Sequence, residues 1–223
     1  VNPSPAIRFV YFDLGNVLVR FDPERGCRNL AEWAGVTPAA VDKAIWASGL
    51  EEDFECGRVA PAAFAQRVAE ALRVPVGRLD EQGQPLLDLV SNMFTPLAEM
   101  LPVIERLREA GVGLGILSNT CHAHWDWISR QGWPVCSGWS TADVLSYEVG
   151  QMKPAAEIYA VAQRRAGVPA EQIFFTDDRP ENVAGALAAG WQAEVFRGAE
   201  ELSTQLQRIL PSRSRDFRNS PNV

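Results

Sequence analysis

Three apolar runs, far apart in the chain, each break off into a small polar group, and this pattern limits the fold more than any other feature of the sequence. Ile7-Arg8-Phe9-Val10-Tyr11-Phe12 stops at Asp13-Leu14-Gly15-Asn16, and Val112-Gly113-Leu114-Gly115-Ile116-Leu117 stops at Ser118-Asn119-Thr120. Ile173-Phe174-Phe175 stops at Thr176-Asp177-Asp178. Nearly continuous apolar runs with β-branched and aromatic residues suit strands buried on both faces, as in the middle of a parallel sheet. An edge strand is expected at Ala193-Glu194-Val195-Phe196. Helical patterns lie between: Leu97 to Ala110 with Gly111 as its stop, Pro154 to Ala166 before Gly167, Glu181 to Ala189, and Glu200 to Leu210. Strands alternating with helices predict an α/β fold of right-handed βαβ units, its parallel sheet covered on both faces.

Residues 22–94 break that rhythm. Pro61 to Leu72 and Leu86 to Phe94 are helical patterns, and no strand stands out. The economical division is a core from residues 1–21 and 95–210, a helical insert over 22–94, and a mobile tail over 211–223. A chain of 223 residues buries a sizeable core without staples, and 47% apolar with 22% charged residues excludes a disordered one. The net charge of −7 argues against nucleic acid or an anionic membrane as partner. No apolar run reaches the roughly 18 residues of a membrane span, and the first residues lack the pattern of a signal peptide. Cys27, Cys56, Cys121 and Cys136 are widely spaced without a C-x-x-C, suggesting neither a zinc site nor a disulfide framework. A cytoplasmic protein is expected; oligomeric state is left open.

Ligands of open parallel sheets bind beyond the carboxyl ends of the strands. Asp13, Ser118-Asn119-Thr120 and Asp177-Asp178 should therefore meet in one crevice, although each alone reads more readily as a helix cap. Three carboxylates in one crevice repel each other unless a cation sits among them, and hard oxygen ligands without His or Cys favour Mg²⁺. Such an ion usually accompanies a phosphate, which the Ser118 hydroxyl and the backbone N–H groups of Asn119 and Thr120 suit. Lys153, just before a helix start, supplies a positive side chain.

Taken together, Phe12-Asp13-Leu14-Gly15-Asn16-Val17-Leu18, Leu117-Ser118-Asn119-Thr120, Ser146-Tyr147-Glu148-Val149-Gly150 with Lys153-Pro154, and Phe175-Thr176-Asp177-Asp178 with Glu181-Asn182 resemble, in order, the four motifs of the haloacid dehalogenase superfamily. The opening resembles the subgroup of α-glucose-1-phosphate phosphatases and epoxide hydrolase phosphatase domains. The resemblance implies a Rossmann-like core with a helical cap inserted after the first motif. It implies a Mg²⁺-dependent phosphatase of a small phosphorylated metabolite, in which Asp13 is the nucleophile, Ser118 and Asn119 hold the phosphoryl group, and Lys153 neutralises charge. Mg²⁺ would be held by Asp13, the Gly15 carbonyl and the Asp177-Asp178 pair, with Asp178 direct and Asp177 acting through water.

One position departs from the family pattern. Most phosphatases of this superfamily carry a second Asp two residues after the nucleophile as general acid and base, and here that residue is Gly15. A steep preference for good leaving groups is expected, unless Asp22, a cap residue or a substrate-held water supplies the proton. Asp22, before Pro23, reads either as a turn residue or as a hinge residue touching substrate. His122 and His124 point apart if helical, which favours packing or the substrate entrance over a metal. Trp33 and Trp46 read as packing or as surfaces for a sugar ring. The alternatives are a metal-independent 2-haloacid dehalogenase, whose halide needs no proton, and a catalytically silent phosphate-binding protein.

Overall fold

The computed structural model describes residues 6–210; the expected tail over 211–223 lies outside them. In chain order the strands are β1 (Phe9–Phe12), β2 (Val19–Phe21), β3 (Phe94–Pro96), β4 (Gly113–Ser118), β5 (Val144–Leu145), β6 (Ile173–Asp177) and β7 (Gln192–Val195). The helices are α1 (Pro23–Ala34), α2 (Pro38–Ile45), α3 (Leu50–Glu55), α4 (Pro61–Ala71), α5 (Gln84–Ser91), α6 (Leu101–Glu109), α7 (His122–Arg130), α8 (Ser146–Val149), α9 (Ala156–Ala166), α10 (Pro180–Ala188) and α11 (Ala199–Ile209). No helix among them is long and apolar enough to cross a membrane.

Five parallel strands form the main sheet in the order β5-β4-β1-β6-β7. The period-2 alternation of side chains divides β1 between two cores. Val10 and Phe12 pack on one face with Val103, Ile104 and Leu107 of α6 and Leu202 and Leu206 of α11. Phe9 and Tyr11 pack on the other with Ile158, Tyr159 and Ala162 of α9 and Ala186 of α10. Burial on both faces is why the sequence of β1 reads as an unbroken apolar run. The Tyr11 hydroxyl, itself buried, donates to the Ala162 carbonyl at 2.8 Å, so the aromatic ring enters the core without an unsatisfied polar atom.

The chain leaves this sheet between β2 and β3, which pair antiparallel with Val19 opposite Pro96 and Phe21 opposite Phe94. Everything between residues 22 and 93 that is regular is helical. Its own core contains Leu30, Val41, Ile45, Phe54, Phe64, Val68 and Leu86, with the Phe54 and Phe64 rings stacked 4.3 Å apart. Cys121 and Ala123, at the start of α7, join this cluster, so the insert is seated on the sheet's carboxyl edge. The strands that sequence periodicity does not reveal are β2, β3 and β5. Each has two or three residues, too few for alternation to register.

Candidate active site

The three polar strand ends meet because β4, β1 and β6 are adjacent. Phe12 is in register with Ile116 on one side and Thr176 on the other, so Asp13 and Asp177 emerge at one level and Ser118 one residue further on. Lys153 reaches in from the loop before α9. Its ammonium donates to Asp13 Oδ1 at 2.7 Å, Asp177 Oδ2 at 2.6 Å and the Leu117 carbonyl at 2.8 Å. Burial alone would lower the Lys153 pKa, but the Asp13 and Asp177 charges outweigh it and hold it above its ordinary value. Burial pushes the Asp13 carboxyl up to about 7, with Lys153 pulling against it and Asp177 adding to the rise.

Asp177 is fully engaged. Besides Lys153, both its oxygens accept from the Asn182 amide at 3.0 Å, and Oδ1 accepts from the Arg179 backbone N–H at 2.9 Å. Asp178 accepts from Asn16 Nδ2 at 2.8 Å through Oδ2, leaving Oδ1. Carboxylate oxygens of Asp13, Asp177 and Asp178 lie within 4.8 Å of one another. Three carboxylates (−3) and one ammonium (+1) leave −2 in a largely buried site, which matches a divalent cation in both charge and donor type.

The Asn119 side chain bonds the Lys153 backbone twice, Oδ1 accepting from the N–H at 2.8 Å and Nδ2 donating to the carbonyl at 2.9 Å. It fastens the lysine loop; the group expected to meet a phosphate is the Asn119 backbone N–H, which these two bonds do not use. The Thr120 N–H is occupied, donating to Ser146 Oγ at 2.9 Å. Asp22 is not brought to the crevice. It caps α1, accepting from the Arg25 N–H at 2.9 Å, and pairs with Arg28 at 3.3 Å, so the turn reading describes its setting and the substrate contact does not. Gly15 lies in the crevice wall, as its position after Asp13 requires.

Two adjoining cavities open above this floor. The first, about 170 Å³, is lined by Asp13, Lys153, Asp178, Arg179 and Asn182, among others. The second, about 200 Å³, is bounded by Trp46, Met93, Phe94, Ser118, Glu51 and His124. Gly15, Phe21, Asn119 and Glu55 line both. The second cavity carries the residues that sequence reasoning missed. Glu51, 8% exposed, is held with one oxygen 3.6 Å from His124 Nδ1, while its Oε2 has no hydrogen-bond partner among the described residues. Burial, with a contribution from Glu55, pushes the Glu51 carboxyl up to about 8. Burial lowers His124 to about 4, keeping the ring neutral at pH 7. Burial and then the Asp13 charge push Glu55 up to about 7, Lys153 and Arg179 opposing.

Glu51, His124 and the buried Cys121 place ligand-type atoms within 4.8 Å of one another, a second group of ligand type with a single carboxylate. His122 and His124 point apart: His122 is exposed with its ring 5.8 Å from Tyr147, and His124 is buried against Phe94. Trp46 lines the second cavity, whereas Trp33 carries the Arg78 guanidinium 4.5 Å over its ring. The acids Glu51 and Glu55 sit in Leu50-Glu51-Glu52-Asp53-Phe54-Glu55, which reads as a solvated helix face. The signal that they face inward is the i, i+4 spacing with Phe54 between them, and it is weak.

A family model described as "Hydrolase: haloacid dehalogenase-like hydrolase" matches residues 7–190. The chain is 29% identical over 134 residues to an (S)-2-haloacid dehalogenase of Pseudomonas putida, covering 57% of each protein. It is 32% identical over 97 residues to a glyceraldehyde 3-phosphate phosphatase of Methanopyrus kandleri, covering 43% of this chain and 40% of that one. The matched stretch thus spans little more than half the length of these curated relatives, or less. In fold it is similar to a haloacid dehalogenase family enzyme of Bacteroides thetaiotaomicron crystallised with magnesium and inorganic phosphate. The TM-score is 0.73 at 23% identity, covering 95% of this chain and 100% of that one.

Proposed function

The chain belongs to the haloacid dehalogenase-like hydrolase family, and on that premise we propose that it is a Mg²⁺-dependent phosphatase of a small phosphorylated metabolite, with residues 22–94 as its cap. The observation that carries this reading is the net −2 left after Lys153 is bonded to Asp13 and Asp177. A cluster of that charge is costly without a cation and well matched to Mg²⁺ with a phosphate. Asp13, the Gly15 carbonyl and Asp178 would hold the ion, and Asp177, whose oxygens are engaged by Lys153 and Asn182, would act at one remove. When bound, Mg²⁺ supplies the positive charge that lets an anionic nucleophile approach an anionic phosphoryl group.

The remaining steps belong to this chain's own groups. Asp13 attacks phosphorus and forms an aspartyl-phosphate, expelling the alcohol. Lys153, fixed by three acceptors, holds the nucleophile's unreacting oxygen in place and offsets the charge that gathers on the phosphoryl oxygens. Ser118, 2% exposed at the end of β4, offers its hydroxyl to a phosphoryl oxygen. Phe21, Met93, Phe94 and Trp46 form an apolar wall that excludes water from the departing group.

A second reading, a metal-independent 2-haloacid dehalogenase, is favoured by Gly15 and by the Pseudomonas putida relative. A panel of phosphorylated metabolites and 2-haloacids, each assayed with Mg²⁺ and with EDTA, separates the two. Phosphate release that needs Mg²⁺ is expected; halide release in EDTA would give the second reading precedence.

A further inference from the structure

Loss of the second Asp at Gly15 removes the family's proton donor, and the departing oxygen must still be protonated. That oxygen bridges the phosphoryl group and the rest of the substrate, so it lies where the cavity over Asp13 and Lys153 meets the cavity with the apolar wall. Among the described residues four line both: Gly15, Phe21, Asn119 and Glu55. Gly15 and Phe21 have no acidic group, and the Asn119 amide is bonded to the Lys153 backbone through both of its ends. The one Brønsted acid at the junction is Glu55, the last residue of α3 in the insert. Resting on the phosphatase reading above, we propose that Glu55 is the general acid and base of this protein, delivered by the cap in place of the missing second Asp.

The contact between insert and core is built to fix Glu55. Ser146 Oγ, wholly buried at the start of α8, lies 2.7 Å from the Glu55 carbonyl and 2.9 Å from the Thr120 carbonyl, and accepts from the Thr120 N–H. One hydroxyl therefore ties the backbone of Glu55 to the residue that follows Ser118 and Asn119. Two residues on, Gly57 has φ +68, and a Cβ there would collide with the Tyr147 carbonyl oxygen. Only glycine lets the chain turn away from α3 while the insert stays this close to α8. Residue 15, by contrast, has room: a Cβ would meet the Phe21 ring at 3.5 Å and Asp13 Oδ2 at 3.9 Å, both ordinary contacts.

The proton balance closes over two steps. In the first, an Asp13 oxygen bonds to phosphorus, the phosphorus–leaving-oxygen bond breaks, and the Glu55 proton passes to that oxygen to give the alcohol. In the second, a water oxygen attacks phosphorus, its proton returns to the Glu55 carboxylate, and the Asp13–phosphorus bond breaks to release inorganic phosphate. Glu55 and Asp13 end as they began.

The test is a series of aryl phosphates of graded phenol pKa, assayed with Mg²⁺ on wild type, Glu55→Gln and Glu55→Gln/Gly15→Asp. Wild-type rates of the chemical step should change little across the series. Glu55→Gln should fall by about 10²- to 10⁴-fold for the most basic phenols and far less for the most acidic, giving a steep slope. With the most activated ester, acid quenching should trap phosphorylated Glu55→Gln, because the second step has lost its base. Adding Gly15→Asp should flatten the slope again. A steep slope in wild type, or a Glu55→Gln loss equal for every phenol without phosphoenzyme, would overturn the proposal. A steep wild-type slope would overturn the proposal even if the variants fail to fold. No Mg²⁺-dependent phosphate release by wild type from any ester would instead remove the phosphatase reading itself.

Discussion

The floor and the wall of the crevice both hold buried carboxylates, but they satisfy them in opposite ways. On the floor, Asp13 and Asp177 share the Lys153 ammonium, and Asp177 adds amide donors from Asn182 and Arg179. On the wall, Glu51 has one oxygen 3.6 Å from a neutral imidazole and the other without a partner among the described residues. Burial raises carboxylates in both settings, but on the floor a fixed ammonium opposes the rise at Asp13, whereas Glu51 has no cation beside it and is favoured as the neutral acid. The floor is thus suited to gathering cations, and the wall to groups that exchange protons or hydrogen bonds with what leaves.

The comparison breaks most readily at the nucleophile. Asp13→Asn should fold and lose at least about 10⁴ in turnover, an amide being a poor nucleophile. Steady-state assays beside a melting curve check this, and near-normal hydrolysis would remove Asp13 from the mechanism. Lys153→Met leaves the floor carboxylates facing each other. It should cost about 3–5 kcal/mol of stability, the usual effect of removing one partner of a buried ion pair, besides most of the activity. A denaturant titration measures it, and recovery of stability on adding Mg²⁺ would sharpen the picture of a floor short of positive charge.

The wall should respond to pH instead. Glu51 is raised from 4.5 in the unfolded chain to about 8, so its contribution is fully present below about pH 4.5 and lost as pH rises through 8. His124 is lowered from 6.5 to about 4, so its contribution is present above about pH 6.5 and lost as pH falls through 4. Wild-type stability should therefore decline by up to a few kcal/mol on the alkaline side, and Glu51→Gln should make that limb shallower near pH 8, with Asp13 and Glu55 keeping the part near pH 7, while leaving the acid limb. Melting temperatures from pH 4 to 9 decide the matter; parallel curves for the two proteins would mean that Glu51 is ionised throughout. The smallest effect belongs to Asp22→Ala, which should cost about 1 kcal/mol as a lost helix cap and leave turnover unchanged.

The same contrast explains what the sequence makes legible. Asp13, Ser118 and Asp177 each end an apolar strand, and a parallel sheet brings its strand ends together whatever their separation in sequence. The floor can be read for that reason. Asp22 shows the weakness of reading further: proximity to the first motif suggested a site residue, yet an Asp before Pro at a helix start has a local partner in the Arg25 N–H. Glu51 and Glu55 lie on a six-residue helix whose orientation is set by Phe54 packing on Phe64 and by Ser146 beneath the Glu55 carbonyl. Those contacts reach across the insert and to the core, and no local pattern encodes them. Asn119 was placed correctly in the crevice, but its partner, the backbone of Lys153, is a long-range contact of the same kind.

In the proposed reading the floor, and not the wall, would hold Mg²⁺, although Glu51, Cys121 and His124 are spaced closely enough to form a second group. Calorimetric titration of Mg²⁺ into wild type, Asp178→Asn and Glu51→Gln tests it without any substrate. The account predicts single-site binding in wild type, at least about tenfold weaker binding in Asp178→Asn, where a ligating carboxylate is lost, and unchanged binding in Glu51→Gln. Binding that survives Asp178→Asn and disappears with Glu51→Gln would place the ion in the wall and contradict the account.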